Sequence, residues 1–205
     1  MTAAQRKPLK QKAQVRTNAT PGSVCRIDAP AVKFADLWGN YVTGDPYADP
    51  TGAYKNQCAI RMSATLHRVG IEMKSFSEKV IKPPPGKDTI GRILLKGKAT
   101  ATRADEMAIW LNLQPFCGLP KRPQDVTGTD WEMKVKGRTG IIFFGEYWAR
   151  DGESSDRASG GHIDLWNQDT LTPSSTSFFR FRLGFNSLWY SDLRNSKKIL
   201  FWEIK

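Results

Sequence analysis

Between Asn56 and Gly70 the chain carries Cys58, Met62, Leu66 and Val69 at intervals of four, four and three. That spacing lays one apolar stripe along an α-helix. Asn56 can accept from the orphan N–H groups of a first turn, and Gly70 suits the left-handed residue that ends a helix. The pattern predicts a helix over 57–69 with Cys58 as its second residue. Two further segments read as helices. One is 34–41, apolar at 34, 37, 38 and 41. The other is 102–113, capped by Thr102 with Asp105 and Glu106 in its first turn. Strand-like runs come only later, at 139–148, 161–166 and 198–204. Helices first and strands afterwards predict an α+β fold rather than an alternating parallel sheet.

The connections follow from their turn residues. The stretch 44–56 is rich in Gly, Pro and Asp, and Lys82-Pro83-Pro84-Pro85-Gly86-Lys87 excludes helix and central strand. Residues 115–130 read as irregular, and 150–160 as a Ser- and Gly-rich surface loop or flap. Residues 1–30 read as a basic, flexible extension, which leaves 31–205 as one domain. Seven Trp and ten Phe supply ample core. No run approaches the ~20 apolar residues of a membrane span. Met1 to Thr20 lacks the apolar stretch of a cleaved signal peptide, so work outside the cell implies another export route.

The net charge of +11 invites a nucleic-acid partner. Its distribution argues against one. Arg6, Lys7, Lys10, Lys12 and Arg16 supply five of those charges, and no acid precedes Asp28. Such a run is commonly a solvated tail. Cys25, Cys58 and Cys117 show no CxxC pair and no zinc spacing, and His67 and His162 are the only imidazoles. No metal or cofactor is expected. Cys25 and Cys117 are candidates for one disulfide, which leaves Cys58 free.

A cysteine on the apolar face of a helix is commonly an inert core residue. Near a helix N-terminus the dipole and the free N–H groups favour its thiolate. The same N–H groups are placed to hold an oxyanion. The turn-rich sequence before Cys58 predicts a helix start near solvent. His67 lies nine residues further along the same helix, roughly 13 Å away at ~1.5 Å per residue, and reads as a surface residue. His162, at the start of a strand after two glycines, is the one imidazole left to act as base. Strand alternation puts His162, Asp164 and Trp166 on one face. Asp164 is thus a candidate to orient the ring, with Asn167 and Asp169 as alternatives.

Those residues carry a resemblance. NQCAIRMS at 56–63, FADLWGNY at 34–41, SGGHIDLWN at 159–167 and SDLRNSKKILFWE at 191–203 resemble the type VI secretion amidase effector 4 family, in order from about residue 34 to the end. The resemblance implies a papain-like fold of the NlpC cell-wall peptidase type, with the catalytic Cys at a helix N-terminus on an antiparallel sheet. It implies an antibacterial effector that cleaves peptidoglycan stem peptides between γ-D-glutamate and meso-diaminopimelate. Delivery by the secretion apparatus into the periplasm of a competitor, and a cognate immunity protein, are implied with it. Cys58 carries over as nucleophile and His162 as base. The family pattern places an aspartate about eleven residues after the histidine, where this sequence has Pro173, so the third member stays open. The competing expectation is a basic binding module, for nucleic acid or cell wall, on a catalytically silent scaffold. Such a module would bind with strong salt dependence and be indifferent to Cys58.

Overall fold

The computed structural model describes residues 10–15, 25–54, 56–83, 87–148, 160–172 and 193–205, with backbone alone at 10–15, 25–30, 147 and 148. In chain order the elements are β1 (Lys10–Val15), β2 (Cys25–Pro30), α1 (Phe34–Gly39), α2 (Cys58–Arg68), β3 (Arg92–Leu95), β4 (Lys98–Ala101) and α3 (Ala104–Leu111). There follow β5 (Gln124–Asp125), α4 (Trp131–Val135), β6 (Arg138–Trp148), β7 (Gly160–Gln168), β8 (Thr170–Leu171), a 3-10 turn at Leu193–Asn195 and β9 (Lys198–Glu203). Three helices precede the main sheet, and the fold is α+β.

The three expected strand runs form the heart of one antiparallel sheet in the order β5-β9-β6-β7-β8. Each run is apolar at nearly every position because both sheet faces are covered. Ile141 and Phe143 of β6, Ile163 and Leu165 of β7, and Leu200 and Trp202 of β9 pack with α2 and α3. Their neighbours Ile142, Phe144, Trp166, Ile199 and Phe201 pack with Trp131 and Val135 of α4. The period-two alternation of a strand divides them between the two layers.

α2 is buried over more of its circumference than a single stripe requires. Ile60, Met62 and Leu66 are fully buried, each contributing about 2 kcal/mol. Ser63 and Thr65 are buried as well, and both are satisfied. Ser63 Oγ donates to the Ala59 carbonyl at 2.8 Å and accepts from the Ala101 N–H at 3.1 Å, tying α2 to β4. Thr65 Oγ1 donates to the Arg61 carbonyl at 2.9 Å and accepts from the Val42 N–H at 3.0 Å. The helix closes as expected at Gly70, with φ +89°. The Gly70 N–H reaches the His67 carbonyl at 3.2 Å and the Ile71 N–H the Leu66 carbonyl at 2.8 Å, the paired bonds of a Schellman ending.

Several boundaries differ from the sequence expectation. α2 begins at Cys58, so the cysteine is its first residue and Gln57 takes the N-cap place. Asn56 still caps, one residue early: its Oδ1 accepts from the Cys58 N–H at 3.2 Å. α1 stops at Gly39, which frees Tyr41 from the helix. α3 starts after Arg103, not Thr102, whose N–H instead donates to the Gly91 carbonyl at 2.8 Å. The stretch expected to be irregular adds the short β5 to the sheet edge. α4 and the β3–β4 hairpin have no counterpart in the expectation. In that hairpin Lys96 and Gly97 both have positive φ, the geometry of a tight two-residue turn. Within the basic N-terminal segment, β1 and β2 pair antiparallel with each other.

Candidate active site

β7 carries the imidazole, and its pairing determines what can reach it. On one side β6 runs alongside, with Phe144 opposite His162 and Ile142 opposite Asp164. Just past that pair β6 bulges between Phe144 and Trp148, with Glu146 at φ +53°. Bulges of this kind recur beside active sites, where they re-aim side chains. On the other side β8 pairs only with Trp166 and Asn167. The N-terminus of α2 meets β7 at the stretch that β8 does not cover: both the His162 ring and the Ile163 N–H hydrogen-bond to Cys58. The thiol thus reaches the imidazole along the strand edge.

Cys58 is 4% exposed. The expected solvent-facing helix start is therefore corrected at the thiol itself. The residue before it, Gln57, is also buried, and its amide makes both bonds to the Tyr47 backbone, accepting at 3.1 Å and donating at 2.8 Å. Those bonds fasten the 44–54 loop to the start of α2. Burial pushes the Cys58 thiol up, but the hydrogen bond and charge of His162, the Ile163 N–H and the Arg61 guanidinium outweigh it. The net shift is downward, toward thiolate. His162 moves the other way. Burial disfavours its charged form, yet its bonds to Asp164 and Cys58 and their charges raise it to about 9. Opposite shifts on touching groups describe a thiolate–imidazolium pair.

Among the described residues, Asp164 is the acid that the fold brings to His162. Its Oδ2 lies 3.5 Å from His162 Nε2, which leaves Nδ1 as the ring nitrogen on the thiol side. The carboxylate is 2% exposed. Its Oδ1 accepts from the Leu165 N–H at 2.8 Å and from the Thr172 hydroxyl. The Tyr41 hydroxyl lies within hydrogen-bonding reach of both Asp164 and Thr172. The two alternatives stand apart. Asn167 is five residues from His162 along the strand, about 16 Å at ~3.3 Å per residue, and of opposite parity. Asp169 is exposed in the turn before β8. Pro173 lies outside the described residues.

Arg61 sits one turn beyond Cys58 on α2. Its Nη1 donates to the Gly44 carbonyl at 3.1 Å and faces Asp45 at 3.5 Å, and its Nε is buried without a hydrogen-bond partner among the described residues. Tyr41, Arg61, Thr172 and the Ile163 N–H had no signal in the spacing of the sequence, because each joins the site through tertiary packing. His67 is not a surface residue as expected. It is half-buried, with Nε2 3.0 Å from the Ala99 carbonyl. The Cys25 side chain is outside the described residues, and with it the Cys25–Cys117 pairing. Among the described residues no group of three or more His, Cys, Asp and Glu could hold a metal ion, and no helix is long and apolar enough to cross a membrane.

With this geometry in place, a family model described as "Type VI secretion system (T6SS), amidase effector protein 4" matches residues 54–202. That span contains Cys58, His162 and Asp164. The chain belongs to this family. The amidase effector is similar in structure to the type VI effector Tae4 from Enterobacter cloacae, at 19% identity, with 86% of this chain and 98% of that chain covered and a TM-score of 0.49. It is likewise similar to the Tae4–Tai4 effector–immunity complex from Salmonella Typhimurium, at 19% identity, 84% and 98% coverage and a TM-score of 0.49. A search of curated proteins finds no match. As a member of its family the amidase effector is a cysteine amidase directed at peptidoglycan. A helix that presents a cysteine to an antiparallel sheet is the papain-like, NlpC-type arrangement.

Proposed function

We propose that the effector hydrolyses the γ-D-glutamyl–meso-diaminopimelate bond of peptidoglycan stem peptides, with Cys58 as nucleophile, His162 as acid and base, and Asp164 orienting the ring. The observation that carries the residue roles is the contact between Cys58 and His162, with the thiol shifted down and the imidazole shifted up to about 9. The family resemblance supports the choice of bond.

The Cys58 thiolate attacks the γ-glutamyl carbonyl carbon, and the carbonyl electron pair moves onto oxygen. N–H groups of the first turn of α2 face that oxyanion, since the first turn of a helix lacks intrahelical acceptors. The Cys58 N–H exchanges its Asn56 partner for the oxyanion in this step. As the tetrahedral intermediate collapses, the C–N bond breaks and the His162 imidazolium gives its proton to the leaving amine. Neutral His162 then takes a proton from water, and the resulting hydroxide attacks the thioester. Collapse of the second intermediate expels the Cys58 thiolate beside the imidazolium and releases the γ-glutamyl acid, which loses its proton to solvent. Asp164 holds the ring orientation throughout.

The effector acts in the periplasm of a target bacterium after type VI delivery, and a cognate immunity protein guards the producer. The effector–immunity complexes of the similar Tae4 structures support that partner. The deciding experiment is mass analysis of peptidoglycan digested by wild-type and Cys58→Ala protein. Fragments ending in γ-D-glutamate with wild type, and none with the variant, are expected. Equal release by both removes Cys58 from the reaction, and release of other fragments removes the assigned bond.

A further inference from the structure

Asp164 receives more than its histidine. Thr172 and the Leu165 N–H both donate to Oδ1, while Oδ2 alone faces the His162 ring. The Tyr41 hydroxyl adds a third polar group at the same carboxylate and at Thr172. A carboxylate whose one oxygen is saturated in this way cannot turn about its Cβ–Cγ bond without breaking those contacts, and in a buried site each broken contact leaves an unsatisfied group. Thr172 is fully buried and directly follows β8, which pairs with Trp166 of β7. Tyr41 is fixed from the other side. The next residue, Val42, donates its N–H to Thr65 of α2 at 3.0 Å, and Arg68 of α2 reaches the Tyr41 carbonyl at 3.5 Å. The helix that presents the thiol therefore also anchors the tyrosine, and the contacts close a ring from α2 through Tyr41, Asp164 and His162 back to Cys58.

We propose that Tyr41 and Thr172 are positioning residues, which hold the Asp164 carboxylate so that its second oxygen faces His162. The inference rests on the reading of Cys58 and His162 as nucleophile and base. Burial, followed by the charge of Asp164, pushes the Tyr41 hydroxyl well above the ordinary tyrosine value, so Tyr41 remains a donor wherever the thiolate–imidazolium pair exists. A network that merely satisfied a buried carboxylate would protect stability alone. A positioning network also sets how firmly the imidazole keeps its proton.

The two roles separate by measurement. The chain has only His67 and His162, so NMR of histidine-labelled protein follows the His162 ring directly, with His67→Gln to assign it. Thr172→Val is expected to lower the His162 titration midpoint by about one pH unit and kcat on stem-peptide substrate by roughly ten-fold, with KM within about two-fold. Thr172→Ser restores both. Tyr41→Phe, which removes one hydroxyl and keeps the ring, shifts both in the same direction by a smaller amount. It decides the matter if Thr172→Val fails to fold. A midpoint that stays put or rises in Thr172→Val and Tyr41→Phe, with kcat at the wild-type level, overturns the proposal. Because the titration needs no substrate, it stands apart from the peptidoglycan digest: a wrong bond assignment changes the digest and leaves the midpoints as predicted.

Discussion

His162 and Asp164 stand two residues apart on β7, with Nε2 and Oδ2 3.5 Å from each other and Cys58 on the remaining side of the ring. The strand period alone brings the acid to the face of the imidazole. The thiol comes from a different layer, along the strand edge that β8 leaves uncovered.

Replacing Asp164 tests that relationship first. Asp164→Asn keeps the shape and removes the charge that favours imidazolium. A fall in kcat of about 10²–10³-fold is expected, with the His162 titration moving down from about 9. Asn167→Ala and Asp169→Ala should stay within about two-fold of wild type, since neither reaches the ring. Steady-state kinetics on a stem-peptide fragment checks all three. A larger loss in either alanine variant than in Asp164→Asn would move the third role elsewhere.

The opposite shifts of Cys58 and His162 define a pH window. The thiol is lowered, so its thiolate forms below the ordinary thiol range; the imidazole is raised, so it stays charged until the pH passes about 9. Both charges coexist between those limits. Activity is therefore expected to fall as the pH drops below the lowered thiol range and to fall again as it rises past about 9. At pH 6, iodoacetamide should label Cys58 while Cys117 lags. In His162→Gln burial acts on the thiol without its main opposing partner, and labelling at pH 6 should drop at least ten-fold. Labelling of Cys58 that keeps its wild-type pH profile in the variant rules out the ion pair. Quantitative mass spectrometry of the Cys58 peptide supplies the readout.

The pairing of thiol and imidazole was legible because each half is local. Cys58 follows from a helical period that starts after a capping residue, and Asp164 from a strand period that starts at His162. Gly70 ended its helix as its type demands. What the sequence did not disclose is how the layers meet. Tyr41 reads as one more apolar position of a helix through residue 41, yet α1 ends at Gly39 and the hydroxyl turns to Asp164. Thr172 lies beyond the motif and reaches Asp164 only because β8 folds back on β7. The polar, turn-rich approach to Cys58 suggested exposure, but Gln57 ties that approach down. Long-range hydrogen bonds carry no periodicity in the chain.

Ser63 provides a stability test clear of the chemistry. Its hydroxyl is fully buried and accepts from the Ala101 N–H of β4 at 3.1 Å. Ser63→Ala leaves that N–H without its partner and should cost about 1–3 kcal/mol, read as a lower urea midpoint with an unchanged slope. The His162 titration should keep its wild-type midpoint. A shift in that midpoint would mean that the α2–β4 contact also sets the site.

Gln57 tests the cover over the thiol. Its amide makes two bonds to the Tyr47 backbone and is 4% exposed, so Gln57→Ala removes the fastening of the 44–54 loop to α2. Two lost bonds are expected to cost about 1–3 kcal/mol in unfolding free energy. The more specific consequence is access. A bulky maleimide needs more room around Cys58 than iodoacetamide does. In Gln57→Ala the ratio of the maleimide rate to the iodoacetamide rate should therefore rise several-fold at fixed pH. Taking the ratio cancels any change in thiolate fraction, because both reagents require the same thiolate. A ratio equal to that of wild type would show that other residues, not the Gln57–Tyr47 clasp, keep the sulfur covered.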